Sequence, residues 1–144
     1  MLRYVGGRPL SREDSWRRML QSVGLWQVLG YGYWCLETKG DGQYLGLVGF
    51  GDFKRALDPS IEGLPEMGWI LRREAHGKGY ASEAVAAGLD WADEHLASEI
   101  TAIINPDNVP SLRVAEKAGF VVAHRSLYHD APILILKRPA PNQR

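Results

Sequence analysis

The stretch His76-Gly77-Lys78-Gly79-Tyr80-Ala81 constrains the fold more than any other, because of what stands on either side of it. Before it, Glu66-Met67-Gly68-Trp69-Ile70-Leu71 has the apolar and aromatic content of a buried strand. After it, Ala81, Ala84, Val85, Leu89 and Ala92 recur along one stripe of a helix. A glycine-rich turn that feeds a helix N-terminus suits an anion. Glycines let the backbone approach a ligand, and the free amides and the helix dipole favour negative charge. A phosphorylated ligand is therefore expected here; the plainer alternative is that Gly77 and Gly79 only tighten a strand-to-helix connection.

Two common nucleotide motifs fit poorly. A Gly-x-x-x-x-Gly-Lys-Ser/Thr loop fails because Gly79 follows Lys78. The pattern Gly-x-Gly-x-x-Gly is half met, with Ser82 in place of the third glycine, and the turn lies mid-chain rather than in an opening βαβ unit. A nucleotide-binding module stays as an alternative reading, distinguished by stabilisation with ATP or NAD.

A second segment, from Asn105 to Phe120, has the grammar of a short capped helix. Asn108 or Asp107 caps it, Pro110 suits its first turn and Gly119 a left-handed stop. Together the two segments resemble the GCN5-related N-acetyltransferase (GNAT) superfamily, and more narrowly the branch that includes ribosomal-protein-alanine N-acetyltransferases. That family carries Gln/Arg-x-x-Gly-x-Gly/Ala at its pyrophosphate loop, matched in register by His76, Gly79 and Ala81. It also carries Asn-x-x-Ser/Ala followed by Glu-Lys-x-Gly-Phe, matched by Asn108, Ser111, Glu116, Lys117, Gly119 and Phe120. The resemblance runs from Leu45 to Leu136.

The resemblance implies an α/β chain with the GNAT acyl-CoA N-acyltransferase fold, a mixed, mostly antiparallel central sheet flanked by helices. It implies acetyl-CoA as co-substrate, no metal, and a primary amine acceptor, either a protein N-terminus or a small amine. The pantetheine arm is expected along Ile70, Leu71 and Arg72, and the pyrophosphate on the amides of Gly77, Lys78, Gly79, Tyr80 and Ala81. Asn105, Asn108 and Ser111 are expected near the thiol end. His76 departs from the family's Gln or Arg, although a protonated imidazole still donates.

Acetyl transfer from a thioester needs a neutral amine, a polarised carbonyl and a protonated leaving thiolate. A lysine amine near pKa ~10.4 is mostly charged at neutral pH, whereas an N-terminal amine near ~7.7–8.0 needs less help. A backbone amide where the strand Glu66–Leu71 splays from its neighbour would hold the carbonyl, as is usual in the family. Glu66, at the start of that strand, is the first choice of general base, acting through a water. Its plain alternative is a strand-edge carboxylate, and Glu62 is the second choice. Many superfamily members place a tyrosine as general acid where this chain has Ala115. Ser111 either donates to the departing thiolate or only caps its helix, and Tyr128 is a substitute acid. The vacant tyrosine position, His76 and the short N-terminus support a rival reading, a non-catalytic acyl-CoA-binding module.

Residues 1–137 are expected to form one domain and 138–144 a flexible tail. Acidic and basic residues number 17 each, which argues against broad nucleic-acid binding. Cys35 is the only cysteine, so neither an intrachain disulfide nor a cysteine zinc cluster is possible, and His95, His124 and His129 lack metal-ligand spacing. No apolar run reaches membrane length, and a cytoplasmic protein is the default expectation.

Ser11, with Asp14 three residues on, begins a helix whose expected buried stripe is Trp16, Met19, Leu20 and Val23. Residues 30–37 and 44–50 are expected as a hairpin around the turn Lys39-Gly40-Asp41-Gly42, followed by a polar loop from Arg55 to Leu64. Trp16, Trp26, Trp34, Trp69 and Trp91 are read as core, with Trp26 and Trp34 flanking the acceptor region of relatives. Relatives open with a strand and helix that precede the text of Met1 to Pro9, so either the start is assigned late or the chain lacks that first strand and helix. An exposed sheet edge would then favour a homodimer.

Overall fold

The computed structural model describes residues 11–144 and, for backbone alone, residues 4–5 and 8–9. Strands β1 (Tyr4–Val5) and β2 (Arg8–Pro9) pair antiparallel. Helix α1 (Arg12–Leu29) starts where expected, with the Ser11 hydroxyl accepting from the Asp14 amide at 3.0 Å. The expectation of a missing first strand and helix concerns the opening of the chain and lies outside the described residues.

Six further strands form one sheet: β3 (Tyr33–Glu37), β4 (Tyr44–Gly51), β5 (Glu66–Leu71), β6 (Ile100–Ile104), β7 (Val121–Tyr128) and β8 (Ala131–Arg138). Their spatial order is β3-β4-β5-β6-β8-β7. Only β5 and β6 run parallel, joined through α2 (Tyr80–His95); the other neighbours are antiparallel. A third helix, α3 (Val109–Lys117), connects β6 to β7. This is the mixed, mostly antiparallel sheet with flanking helices that the sequence led us to expect.

Strand alternation divides the apolar residues between two faces. Val48, Phe50, Met67, Ile100, Ala102, Ile104, Leu134 and Leu136 meet Val85, Leu89 and Ala92 of α2. Phe50 is fully buried, and burial of such a ring contributes about 2–3 kcal/mol. On the other face Ile133 and Ile135 meet Leu57 and Ile61. The segment after β4 is thus more than a polar loop: it drops two apolar anchors onto the sheet and covers it where no helix does.

Helix α1 differs from expectation. Trp16 is 58% exposed and Val23 62%, with Met19 and Leu20 similarly open. The half-buried positions are instead Ser15, Arg18, Ser22, Gly24, Leu25, Trp26 and Leu29. The helix engages the sheet through its last turns, where Trp26 meets Trp34 and Trp91 edge-on, at ring separations of 5.2 and 5.5 Å. That anchor sets the inward face and rotates the N-terminal apolar stripe away. Trp26, Trp34 and Trp91 therefore form a cluster of three mutually contacting indoles.

Arg138 donates to both oxygens of Asp93 on α2, at 2.8 and 3.0 Å, and Arg144 reaches the same carboxylate at 2.7 Å. Ala140 is buried and a short 3-10 turn spans Pro141–Gln143. The segment expected as a flexible tail is thus docked, because Asp93 offers a carboxylate that two guanidiniums share. No helix among the described residues is long and apolar enough to cross a membrane.

Candidate functional site

Strands β5 and β6 pair at one position only, Glu66 opposite Thr101. The Thr101 amide donates to the Pro65 carbonyl at 2.9 Å, which fixes the side of β5 that faces β6. Odd-numbered residues of β5 direct their backbone groups toward β6, and even-numbered residues direct theirs toward β4. Past Met67 the strands diverge, so the next amide on that edge, Trp69, has no strand partner. A donor facing into a cleft between two strands is suited to a carbonyl oxygen that gains negative charge. Leu71 continues this edge, and the side chain of its neighbour Ile70 is exposed.

The cleft leads to the glycine turn. Arg72 is tied back to β4, its amide donating to the Leu45 carbonyl at 2.8 Å, and its side chain pairs with Glu74 at 3.5 Å. Gly77 and Gly79 sit at φ +74° and +80°, a region costly for any residue with a Cβ. A Cβ on either would meet nothing within 4 Å, so the space over the turn is open. The first bonded amide of α2 is that of Glu83, donating to the Gly79 carbonyl, and no side chain caps the helix. Tyr80, Ala81 and Ser82 therefore present unpaired amides at the positive end of a 16-residue helix. Lys78 is exposed and forms no ion pair among the described residues. This donor set fits a pyrophosphate. The His76 Nε2 lies 2.9 Å from the Leu71 carbonyl, to which it can only donate.

Helix α3 opens at the same end of the cleft. Asn108 is the cap, its Oδ1 accepting from the Ser111 amide at 3.3 Å, while Asn105 Oδ1 accepts from the Asp107 amide at 2.8 Å. Ser111 lies one turn before buried Ala115, and its hydroxyl bonds to none of the described residues. It is capped rather than capping, which leaves the hydroxyl available.

Glu66 lies on the opposite face, 4% exposed. Arg55 grips it, Nε to Oε1 at 2.7 Å and Nη2 to Oε2 at 3.1 Å. The same guanidinium donates from Nη1 to the Tyr128 hydroxyl at 3.1 Å and stands about 5 Å from the Phe53 and Tyr128 rings. Tyr128 thus serves Arg55 as an acceptor. Glu62 is exposed and paired with Lys54 at 3.6 Å. The sequence reading missed Arg55; an arginine flanked by Phe53 in an otherwise polar segment was the available signal.

Tyr33, on β3, completes this face. Tyr33, Gly49 and Gly68 are cross-strand partners in one row over β3, β4 and β5. The two glycines clear a trough for the ring. A Cβ on Gly49 would stand 2.8 Å from Tyr33 Cγ, and one on Gly68 would run into the Tyr33 hydroxyl. Burial, and secondarily the Glu66 charge, push the phenol well above its ordinary pKa, so it stays protonated. Among the described residues no group of three or more His, Cys, Asp or Glu side chains gathers as a metal site.

Comparison with known proteins identifies the family. The family described as acetyltransferase (GNAT) domain matches residues 1–121. YkkB of Bacillus subtilis (strain 168), an uncharacterized protein, is 34% identical over 118 residues, covering 78% of this chain and 65% of its own. The uncharacterized N-acetyltransferase YjdG of the same organism is 30% identical over 109 residues, covering 75% of this chain and 62% of its own. The chain thus spans a little under two thirds of the length of these relatives. A structure described as a GNAT-family acetyltransferase from Bordetella pertussis superimposes with a TM-score of 0.87 at 30% identity, over 94% of this chain and 81% of that one.

Proposed function

The chain belongs to the GNAT acetyltransferase family, and on that premise we propose that it transfers an acetyl group from acetyl-CoA to a primary amine. The acceptor is a protein N-terminus or a small amine. The observation that carries the reading is the single-residue pairing of β5 with β6, which leaves the Trp69 amide facing a cleft that ends at the open glycine turn. Acetyl-CoA supplies an activated thioester. Ile70, Leu71 and Arg72 line its arm, and the amides from Gly77 to Ala81 take its pyrophosphate with Lys78 beside them. Asn105 and Asn108 shape the thiol end.

The acceptor nitrogen bonds the acetyl carbon as the C–S bond breaks. The nitrogen loses one proton and the departing thiolate gains one. Glu66, on the face away from α2, is the candidate to draw off the first through a water. Ser111, on the helix side, is the candidate donor to the thiolate. Both oxygens of Glu66 are engaged by Arg55, and this favours a second reading, an acyl-CoA-binding module without turnover. Pairing of two copies is part of the proposal: β3 and β7 each have one strand neighbour among the described residues, and Val121, Val122 and Leu127 of β7 are exposed. Sedimentation equilibrium would read the dimer or a monomer.

Thermal unfolding with acetyl-CoA, CoA, ATP and NAD tests the cofactor. Saturation at about 100 times the dissociation constant adds about 2.7 kcal/mol, several degrees for a domain of this size. Thiol release with a panel of primary amines then separates the two readings: binding without release on any amine supports the module.

A further inference from the structure

We propose that the Tyr33 hydroxyl is the acceptor-side contact of the site, taking a hydrogen bond from an N–H of the incoming amine. The inference rests on the acetyl-transfer reading and names the residue that meets the acceptor.

The argument is one of access. On the α2 side of β5 the way is filled: Met67 packs beneath Gly88 of α2, and the Trp69 ring lies tilted against Phe120 at 6.4 Å. On the other side Glu66 is buried under Arg55, and the next residue pointing that way is Gly68, which has no side chain. Gly68 is partly exposed and adjoins the peptide whose amide, that of Trp69, faces the cleft. The group that stands over Gly68 is the Tyr33 hydroxyl, delivered there across Gly49.

That hydroxyl forms no hydrogen bond with any described residue, and among the described residues no buried polar side-chain atom lacks a partner, so the hydroxyl is not fully enclosed. A ring placed only to fill the trough would need no oxygen. A neutral phenol accepts one N–H and leaves the amine lone pair free to face the carbonyl carbon. The charged neighbours on this face are Glu66 and Arg55 of the ion pair, with Arg18 of α1 beyond them.

Tyr33→Phe keeps the ring and its packing and removes only the oxygen. With acetyl-CoA and a panel of alanyl and seryl tetrapeptides, spermidine and glycinamide, kcat/KM for the best amine should fall roughly tenfold to hundredfold. The melting temperature and the acetyl-CoA dissociation constant should not move. Titration of the same amine into the CoA-bound protein by calorimetry should show weakened binding in the variant, with no turnover involved. A wild-type chain that acetylates an amine, beside a variant that matches it in both assays, overturns the role of Tyr33. A wild-type chain that binds acetyl-CoA and acetylates none of the panel overturns it together with the reading beneath it.

Discussion

Both carboxylate oxygens of Glu66 are held by Arg55, Oε1 by Nε at 2.7 Å and Oε2 by Nη2 at 3.1 Å. The pair joins the segment after β4 to the first residue of β5, at the point where β5 and β6 part. It therefore sets the closed end of the cleft. The lone pairs that a base offers are also the ones Arg55 occupies, so a proton reaches Glu66 through water or after the guanidinium shifts.

Removing one partner of this pair should cost more than removing both. Arg55→Ala leaves a buried carboxylate uncompensated and should lower stability by about 3 kcal/mol, whereas Arg55→Leu combined with Glu66→Leu should lower it less. Urea unfolding of the two variants measures the difference. Equal losses would mean that the pair contributes no coupling.

Glu66→Gln and Ser111→Ala should each lower turnover and leave acetyl-CoA affinity nearly unchanged. Steady-state thiol release and calorimetry read the two quantities separately. Unchanged turnover in both variants would remove the catalytic assignment.

Gly79→Ala should weaken acetyl-CoA binding. At φ +80° the new Cβ costs about 1 kcal/mol in backbone strain, and it projects into open space over the turn. Gly63→Ala is the control, with φ +84° and equally open space in a different loop. Both should lose similar stability, and only Gly79→Ala should lose affinity.

Acid should loosen the docked C-terminal segment. Arg138, then Arg144, hold the Asp93 carboxyl down at about 2 against an ordinary 3.8. A depressed folded-state pKa gives stability that is present above the unfolded value and lost as pH falls from about 4 toward about 2. The carboxylate is partly exposed, so the loss should be on the order of 1 kcal/mol. Asp93→Asn should remove most of this acid dependence in melting curves taken between pH 5 and 2.

Much of the local structure at the glycine turn and at the start of α3 was legible in the sequence. Gly77 and Gly79 declare left-handed backbone, and Asn108 with Pro110 declares the start of α3, because each signal acts within a few residues. The stripe on α1 was legible and misleading. Trp16, Met19, Leu20 and Val23 have helical spacing, but the docking of Trp26 against Trp34 and Trp91 fixes which face turns inward.

The sequence by itself determined the strand-turn-helix around Gly77 and Gly79 and the capped helix that follows. These are local in the chain, and backbone geometry plus side-chain period suffices to write them. Only the tertiary structure decided that Tyr33 reaches Gly68 over Gly49, and that Arg55 meets Glu66 and, 73 positions away, Tyr128. Strand register makes these meetings: a shift of one residue would turn every one of these side chains to the other face. Nothing local in the chain specifies which residue of one strand lies opposite which of the next.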